Sequence, residues 1–291
     1  MPTLLDGTAV AATIRAELRG EVSAFAAVHH RAPALRVVLV GEHPASASYV
    51  RAKTRAAAEI GLDAETIALP DTTTGAELLA LVERLNADDA VDGILVQLPL
   101  PAHVNERVVV AAVRADKDVD GFHPANAGVV VTTTGGLAPC TPSGVIELLR
   151  RYGVATRGRH AVVVGRSNVV GRPMAWLLTR PPQNATVTVC HRHTPDLAHF
   201  TRMADLLVVA VGQPGLVTAD MVKEGAAVVD VGINRVEDAG TARGYRLVGD
   251  VEFASVAPKT SFITPVPGGV GPMTIAMLLR NTVEAARARL G

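Results

Sequence analysis

The spacing of apolar residues changes along the chain, and each spacing predicts one type of element. Between about Leu5 and His30, apolar residues recur every third or fourth position, as on one face of a helix. The next run, from Leu35 to Val40, is almost continuously apolar and ends in Gly41. Such a run is typical of a strand that is buried on both faces and followed by a turn.

Strand and helix patterns continue to alternate through the first half of the chain. Helical spacing covers residues 44–60, 75–86 and 105–114, and strand-like runs cover 64–69 and 91–96. Residues 116–142 are rich in glycine, threonine and proline, so we predict an irregular segment that joins two lobes. A helix at 143–152 follows. The alternation predicts an α/β fold with a mostly parallel sheet and helices on both faces.

The second half opens with a strand, a glycine turn and a helix. Apolar residues 161–164 lead into Gly165, and a helical pattern begins after Gly171 with Pro173 in its first turn. Unpaired N–H groups and the helix dipole converge at such a turn and predict an anion site, as in dinucleotide-binding folds. Ser167 replaces the usual second glycine and the last glycine comes one place late, so an ordinary strand–helix turn remains an alternative.

A second strand, Thr186 to Cys190, ends where an NAD-binding unit carries a carboxylate for the ribose 2′-hydroxyl. The chain instead reads His191, Arg192, His193 and Thr194. A guanidinium suits a 2′-phosphate, which it can hold with two parallel hydrogen bonds, and Arg166 can approach the same phosphate. We therefore predict NADP rather than NAD. The two histidines also have the spacing of metal ligands, but no third ligand lies nearby in the sequence, which disfavours a metal site.

The rest of the chain predicts more strands and one last helix. The strands cover residues 206–211, 226–231 and 246–248, and the helix covers 273–288. In an open parallel sheet, ligands bind at the carboxyl ends of the strands. The last helix carries no dinucleotide-binding element, so we expect it to pack on the first lobe. We predict one domain from residues 1–142 plus 267–291 and another from 143–266.

Composition narrows the class of protein. A chain of 291 residues with 48% hydrophobic residues is long enough for two domains. The formal net charge is zero and the pI is about 7.1, which does not favour a nucleic-acid partner. There is no basic-then-apolar leader and no apolar run of the ~20 residues that a membrane span needs. Cys140 and Cys190 are the only cysteines, so we expect reduced thiols and a cytoplasmic location.

Three polar residues of the first lobe are candidates for chemistry. Tyr49 and Lys53 are four residues apart on a predicted helix and share one face. They suit proton transfer if the lysine is desolvated, although an exposed lysine with no function is the simpler interpretation. Gln97 ends a predicted strand, where its amide can donate and accept or merely cap a loop.

The segment Asp116 to Gly121 resembles the start of a calcium-binding loop. Its twelfth position is Ala127 rather than a glutamate, so we do not predict calcium. A carboxylate such as Asp120, held by a glycine turn, suits a ligand edge that presents two adjacent N–H donors.

Taken together, six motifs occur in the order found in one known family. They are Tyr49-x-x-x-Lys53, Gly93-Ile94-Leu95-Val96-Gln97-Leu98-Pro99-Leu100-Pro101, Lys117-Asp118-Val119-Asp120-Gly121, Pro139-Cys140-Thr141-Pro142, Gly165-Arg166-Ser167 with Val170-Gly171-Arg172-Pro173, and Pro265-Val266-Pro267-Gly268-Gly269-Val270-Gly271-Pro272-Met273-Thr274. The chain resembles the bifunctional methylenetetrahydrofolate dehydrogenase/methenyltetrahydrofolate cyclohydrolase family over nearly its whole length.

The resemblance implies two lobes with a cleft between them, an N-terminal α/β catalytic lobe and a Rossmann-like NADP-binding lobe, with the C-terminal helix returning to the first. It implies that Tyr49 stacks on the folate, that Lys53 and Gln97 act at the one-carbon bridge, and that Asp120 holds the pterin. Further substrate-binding candidates are Leu98, Pro267, Gly268 and Gly271. Cofactor-binding candidates are Gly165, Arg166, Ser167, Gly171, Arg172, Pro173, His191, Arg192, His193, Thr194 and Ile233.

The resemblance implies an activity of two steps. It also implies a homodimer joined through the second lobe. NADP-dependent oxidation of 5,10-methylenetetrahydrofolate gives the methenyl cation, and hydrolysis then gives 10-formyltetrahydrofolate. Some members carry serine where this chain has Arg192, which leaves the phosphate contacts open. A dehydrogenase without hydrolysis and a non-catalytic nucleotide-binding regulator are the alternatives, and the intact set of Lys53 and Gln97 argues against both.

Overall fold

The computed structural model describes residues 1–41, 44–132, 136–241 and 244–290. The chain divides into two compact units. The six-stranded unit comprises residues 1–11 and 141–274, and the three-stranded unit comprises residues 12–140 and the chain from 275 onward. The family resemblance predicts an α/β fold of two domains, and this is confirmed.

The strands are β1 (Thr3–Leu4), β2 (Ala34–Val40), β3 (Asp63–Leu69), β4 (Gly93–Val96), β5 (His160–Val164), β6 (Thr186–Cys190), β7 (Leu206–Val209), β8 (Ala227–Asp230), β9 (Asn234–Glu237), β10 (Tyr245–Val248) and β11 (Phe262–Ile263). The helices are α1 (Gly7–His29), α2 (Pro44–Glu59), α3 (Gly75–Ala87), α4 (Glu106–Ala112), α5 (Pro124–Thr132), α6 (Cys140–Arg151), α7 (Gly171–Thr179), α8 (Leu197–Thr201), α9 (Phe253–Val256) and α10 (Val270–Leu290). Within these described residues, no helix combines the length and apolar character that crossing a bilayer requires.

The three-stranded unit is built on a parallel sheet with the order β3-β2-β4. The central strand β2 is the apolar run described above, and Leu35, Val37 and Val38 are fully buried because both faces of the strand are covered. Beyond β4, the Gln97 N–H donates to the Val38 carbonyl at 2.8 Å. The Ile94 N–H donates to the Lys117 carbonyl at 2.7 Å on the other side of β4. These two bonds bring Gln97 and the segment after Lys117 to the same edge of the sheet.

The last helix packs within the three-stranded unit, as the sequence predicts. Asn281 of α10 donates to the carbonyls of Val119 and Ala138 at 2.9 and 3.0 Å. Arg289, also on α10, lies 3.1 Å from the fully buried carboxylate of Asp92. The predicted return of the C-terminal helix to the first lobe is confirmed.

The six-stranded unit contains a parallel sheet with the order β1-β11-β8-β7-β5-β6. Strand β5 lies between β6 and β7, and its residues Val162 and Val163 are fully buried because neighbours cover both faces. The N-terminal strand β1 pairs with β11, so residues 1–11 belong to this unit. The domain bounds predicted from the sequence grouped those residues with 12–142 instead. A strand of two residues is too short to show a period.

Two local expectations need correction. Residues 246–248 form a strand as predicted, but this strand, β10, pairs antiparallel with β9 in a separate two-stranded ribbon instead of joining a parallel sheet. The segment 116–142 was expected to be irregular, yet α5 begins at Pro124. Proline at the first helical position lacks only an N–H that would have no partner there, so it starts this helix rather than preventing it. Residues 133–135 of the same segment lie outside the described part of the chain.

Candidate functional site

Lys53 and Gln97 form a direct contact in the three-stranded unit. The Lys53 ammonium Nζ lies 3.0 Å from the Gln97 Oε1 atom. Only 6% of Lys53 is exposed, so the simpler interpretation of an exposed surface lysine is wrong. Tyr49, one turn earlier on α2, is 40% exposed. One face of α2 therefore carries a buried ammonium group beside an aromatic ring that is open to a ligand.

The side chain of Gln97 is held in one orientation by its next neighbour. Its Nε2 donates to the Leu98 carbonyl at 2.6 Å, which leaves Oε1 to accept from Lys53. The two partners together determine which end of the amide carries oxygen. A lysine ammonium has three N–H donors and Gln97 accepts from one of them, so Lys53 is oriented and retains donor capacity.

The turn that carries Asp120 is organised by the preceding aspartate, Asp118. Its carboxylate accepts hydrogen bonds from the Gly121 and His123 N–H groups at 3.2 and 2.7 Å and from the Asn126 side chain at 3.0 Å. Gly121 has a φ of +76°, and a Cβ there would lie 2.5 Å from the Ala138 carbonyl carbon. Only glycine fits this position without strain, so the Asp120 turn has one well-defined shape.

Asp120 and Lys53 interact electrostatically. Burial raises the pKa of the Asp120 carboxyl above its ordinary value, and the nearby Lys53 ammonium acts in the opposite direction. The structure therefore brings together Tyr49, Lys53, Gln97 and Asp120, which the sequence places in three separate segments.

Two residues near Asp120 were given no role at the site from the sequence. The buried thiol of Cys140 lies 3.2 Å from the Val119 carbonyl and interacts with Asp120, and burial raises its pKa well above the ordinary value. Asn281 binds carbonyls on both sides of this region. Cys140 lies in a recognised motif, and Asn281 is a polar residue on a largely apolar helix face. Both features are visible in the sequence and could have indicated a role for these two residues near Asp120.

In the six-stranded unit, the glycine turn after β5 is tightly packed. Gly165 has a φ of +121°, and a Cβ there would overlap the Ala210 carbonyl oxygen. A Cβ at Gly171 would overlap the carbonyl oxygen of Gly165. The two glycines allow the turn, the neighbouring strand end and the start of α7 to approach closely, as dinucleotide-binding turns require.

At the start of α7, three backbone N–H groups have partners inside the turn itself. The Ser167 hydroxyl accepts from the N–H groups of Val170 and Gly171 at 3.1 and 3.3 Å, and the Ser167 carbonyl accepts from Arg172 at 3.1 Å. Pro173 has no N–H to offer. Ser167 therefore takes the donors of Val170, Gly171 and Arg172. The anion site at the rest of this turn stays a prediction.

The turn after β6 lies next to the Gly165 turn. The Gly165 N–H donates to the Cys190 carbonyl at 2.9 Å, and the turn from His191 to Thr194 closes with an N–H···O bond of 2.8 Å. The side chains of Arg166 and Arg192 are both exposed. Arg192 donates from Nε to His193 Nε2 at 3.1 Å, and Arg172 donates to the Asn168 side chain at 2.8 Å.

The His191 and His193 rings gain no third metal-ligating partner. Within residues 1–41, 44–132, 136–241 and 244–290, no group of three or more His, Cys, Asp or Glu side chains is placed to hold a metal ion. The His193 N–H instead donates to His191 Nδ1 at 3.2 Å. The histidines therefore shape the turn that carries Arg192.

Ile233, Pro267, Gly268 and Gly271 also belong to the six-stranded unit. Ile233 is 42% exposed, and a Cβ at Gly271 would lie 3.4 Å from its Cδ1 atom. Gly268 has a φ of +104°, and its carbonyl accepts from the Thr8 N–H at 3.0 Å. The structure thus places a cofactor-binding candidate, Ile233, against a substrate-binding candidate, Gly271.

The two sets of residues suit different chemistry. A buried ammonium with an amide partner and a nearby carboxylate is suited to proton transfer on a bound molecule. Backbone turns that a Cβ would block, edged by exposed arginines, are suited to a phosphorylated dinucleotide. The residues present therefore fit a bound dinucleotide cofactor.

Comparison with known proteins agrees with the assignment of catalysis to one unit and dinucleotide binding to the other. Residues 5–120 match the family model described as tetrahydrofolate dehydrogenase/cyclohydrolase, catalytic domain, and residues 139–290 match its NAD(P)-binding domain. The chain is 55% identical to bifunctional protein FolD 1 of Myxococcus xanthus, over 99% of this chain and 98% of that one. A solved structure of the bifunctional enzyme FolD from Campylobacter jejuni is similar with a TM-score of 0.94, at 49% identity and 100% coverage of both chains. The Trypanosoma brucei dehydrogenase-cyclohydrolase, solved with NADP and an inhibitor, has a TM-score of 0.94 at 42% identity, covering 99% of this chain and 98% of that one.

Proposed function

This chain belongs to the tetrahydrofolate dehydrogenase/cyclohydrolase family, and we propose that Lys53, Gln97 and Asp120 carry its chemistry on the folate. The protein is a bifunctional enzyme of tetrahydrofolate one-carbon interconversion. It oxidises 5,10-methylenetetrahydrofolate to the methenyl cation and hydrolyses the cation to 10-formyltetrahydrofolate. The observation that best supports the assigned residues is the buried contact between Lys53 and Gln97.

In the hydrolytic step, water adds to the methenyl carbon and the ring opens, so protons must move. Lys53 is the group that transfers them, because its ammonium is buried and oriented by Gln97. Gln97 keeps the lysine directed by accepting one of its N–H bonds. Asp120 accepts hydrogen bonds from two adjacent N–H groups of the pterin, and Tyr49 stacks on the folate with its exposed ring.

NADP is the cofactor, and when bound it supplies the hydride acceptor for the oxidation. The protein's part is to bind and orient it. Gly165 and Gly171 allow the backbone to approach the dinucleotide, and the Ser167 hydroxyl, Pro173 and the exposed Arg172 belong to the same turn. Arg166 and Arg192 hold the 2′-phosphate, with His191, His193 and Thr194 shaping the second turn, and Ile233 contacts the cofactor from the end of β8.

The overall assignment is tested by two assays on the native protein. We expect NADPH to form from methylenetetrahydrofolate and NADP⁺, and methenyltetrahydrofolate to disappear as 10-formyltetrahydrofolate appears. A dehydrogenase without measurable hydrolysis would contradict the role given to Lys53 and Gln97. Absence of both activities would contradict the assignment as a whole.

The cofactor preference depends on Arg192. The Arg192→Asp variant should lower the preference for NADP⁺ over NAD⁺ by about tenfold or more, because one charge-assisted hydrogen bond is worth about 1.5–3 kcal/mol. The measurement is kcat/KM with each cofactor. Arg157→Asp, which changes another exposed arginine of the same unit, is the matched control and should leave the ratio unchanged. Equal catalytic efficiency with both cofactors in the native protein would refute the prediction.

We also propose that two copies associate through the six-stranded unit. The ribbon of β9 and β10 has only two strands, an arrangement that needs packing for stability. Beside it lies a cavity of about 560 Å³, lined by Val236, Leu247, Pro214 and Phe253 among others. Phe253 is 40% exposed. The lining also includes Asp230, Arg246 and Glu252, and a contact of this mixed apolar and charged surface with its copy suits a twofold dimer.

The Phe253→Arg variant should raise the dimer dissociation constant about 30-fold, which is the effect of losing one aromatic anchor at an interface. Size-exclusion chromatography with light scattering measures it over a range of concentrations. Val28→Arg is the control, since Val28 is 70% exposed and lies in the three-stranded unit. A native protein that is monomeric at micromolar concentration would end the dimer proposal.

A cytoplasmic location is proposed from the state of the cysteines. Cys140 and Cys190 are both buried and free, and burial raises the pKa of each thiol. Neither thiol is placed to form a disulfide. Free thiols of this kind are usual in a reducing compartment. Recovery of the protein outside the cytoplasmic fraction of fractionated cells would contradict this.

A further inference from the structure

Two buried carboxylates of the six-stranded unit have no part in the proposed chemistry. Asp230 ends β8 and is 3% exposed, and Asp250 follows β10 and is fully buried. Burying a carboxylate is unfavourable unless hydrogen bonds compensate for the lost water. Two of them next to each other therefore call for a specific explanation.

Asp230 binds three backbone N–H groups. Its Oδ1 accepts from Gly232 at 2.9 Å and from Asp250 at 3.0 Å, and its Oδ2 accepts from Val251 at 2.9 Å. These donors lie in two loops, one after β8 and one after β10. A single carboxylate thus joins the two loops.

Asp250 extends the connection to a third loop. Its Oδ2 accepts from the N–H groups of Val211 and Gly212 at 2.7 and 2.9 Å, in the loop after β7. Its Oδ1 accepts from the side-chain amide of Asn234 at 2.8 Å. The loops that follow β7, β8 and β10 are therefore held by one pair of carboxylates.

The backbone leaves space for these two side chains only because glycine stands opposite each. A Cβ on Gly249 would overlap Oδ2 of Asp230, and a Cβ on Gly232 would overlap the carboxylate of Asp250. The residues on either side of Ile233 both donate to the two aspartates. The Gly232 N–H donates to Asp230, and the Asn234 side-chain amide donates to Asp250. Ile233 itself remains 42% exposed.

We propose that Asp230 and Asp250 are positioning residues for the NADP cofactor, because they hold Ile233 and the loop after β7 in the arrangement that binds it. The inference rests on the proposed function, which assigns cofactor binding to this unit. The two carboxylates do not touch the cofactor; they act through the three loops. Their removal should weaken the binding of NADP much more than the binding of folate, because Lys53, Gln97 and Asp120 lie in the other unit.

The two aspartates are not equivalent, and the difference provides a matched pair of variants. In Asp250→Asn the remaining oxygen can keep Val211 and Gly212, while the new amide nitrogen faces Asn234, whose own amide can flip to accept. In Asp230→Asn the amide nitrogen must face a backbone N–H, which cannot reverse. Asp230→Asn therefore breaks the network, and Asp250→Asn preserves its hydrogen bonds.

The experiment is calorimetric titration of the full-length protein with NADP⁺. Asp230→Asn should weaken the affinity about tenfold and Asp250→Asn by less than about threefold, since only the first leaves a buried donor unpaired. The KM for NADP⁺ should rise in Asp230→Asn, with kcat at saturating cofactor and folate affinity close to native. A purely structural role would lower the melting temperature without changing NADP⁺ affinity in the folded protein.

Measuring NADP⁺ affinity over a range of pH separates the effect of the Asp230 carboxylate from a general loss of structure. Burial raises the pKa of Asp230 to about 6, with a further contribution from Asp250, and the three N–H groups act in the opposite direction. Arg246 and Glu252 are the other charged groups that line the adjoining cavity. The native protein loses the Asp230 charge as the pH falls through about 6, so the affinity ratio of native to Asp230→Asn should approach one below that pH. The 2′-phosphate of the cofactor also titrates near pH 6, but its effect cancels in the ratio.

Two results would overturn the inference. One is native affinity for NADP⁺ in Asp230→Asn, and the other is an affinity ratio that does not change between pH 5 and pH 7. If circular dichroism shows that Asp230→Asn does not fold, Asn234→Ala replaces it, because this variant removes the hydrogen bond between Asn234 and Asp250 beside Ile233. Asn234→Ala should weaken NADP⁺ binding about threefold. Native NADP⁺ affinity in Asn234→Ala would also contradict the inference. Failure of the proposed function is distinguishable, because the native protein would then form no NADPH.

Discussion

The Lys53→Met variant loses at least about 100-fold of its cyclohydrolase activity, the usual scale of a lost acid–base group, while its dehydrogenase activity falls less. Methionine keeps the length and apolar stem of the side chain but removes the amine that contacts Gln97. Hydrolysis of the methenyl cation requires protons to move, whereas hydride transfer mainly requires alignment of carbon and cofactor. The measurement is a pair of assays on one purified variant, with circular dichroism as the folding control.

Lys223→Met is the matched control for this substitution. Lys223 is a half-exposed lysine of the six-stranded unit that pairs with Asp205, and its replacement should leave both activities near native. If hydrolysis in Lys53→Met continues at a near-normal rate, Lys53 is not the proton-transfer group. If both activities vanish together, the lysine is needed for orientation or hydride transfer, and the proposed division of roles is wrong.

The Asp120→Ala variant should bind folate substrates about 10- to 150-fold more weakly, because losing a charge-assisted hydrogen bond typically costs ~1.5–3 kcal/mol. NADP binding should persist, since the cofactor candidates lie in the other unit. Calorimetry with the folate and with NADP⁺ separates the two effects. Unchanged folate binding would show that Asp120 only shapes its turn.

The same residue predicts a pH dependence. Burial raises the pKa of Asp120, so the carboxylate is protonated at a higher pH than an exposed aspartate. Folate affinity should therefore fall as the pH decreases toward that raised pKa, and the decrease should be absent in Asp120→Ala. Asp116→Ala is the control, because Asp116 lies in the same segment but is more exposed and pairs with Arg114.

Much of the fold could be predicted because its signals are local. Helical spacing placed α2 and α3 within a residue or two of their observed ends, and apolar runs located β2 and β6. The elements that were missed carry little local signal. Strand β1 has two residues, and α5 lies in a segment whose glycine, threonine and proline content is typical of loops.

The candidate site could be listed from the sequence but not assembled. The pairing of Lys53 with Gln97 joins residues 44 positions apart, and the bond from Asn281 to Val119 joins residues 162 positions apart. A periodic pattern reports which face of an element is apolar; it does not report which other element covers that face. Sequence alone therefore left open whether Lys53 was a surface lysine.

The sequence by itself determined the element types, the glycines at Gly165 and Gly171, and the absence of a carboxylate after Cys190, since these depend on residues adjacent in the chain. Only the tertiary structure decided that Lys53 is buried, that Ser167 takes the donors at the start of α7, and that Asp230 and Asp250 join three loops. The physical reason is that burial and hydrogen-bond partners are set by distant segments that packing brings together. The free energy of a buried polar group depends on those partners, and no local pattern specifies them.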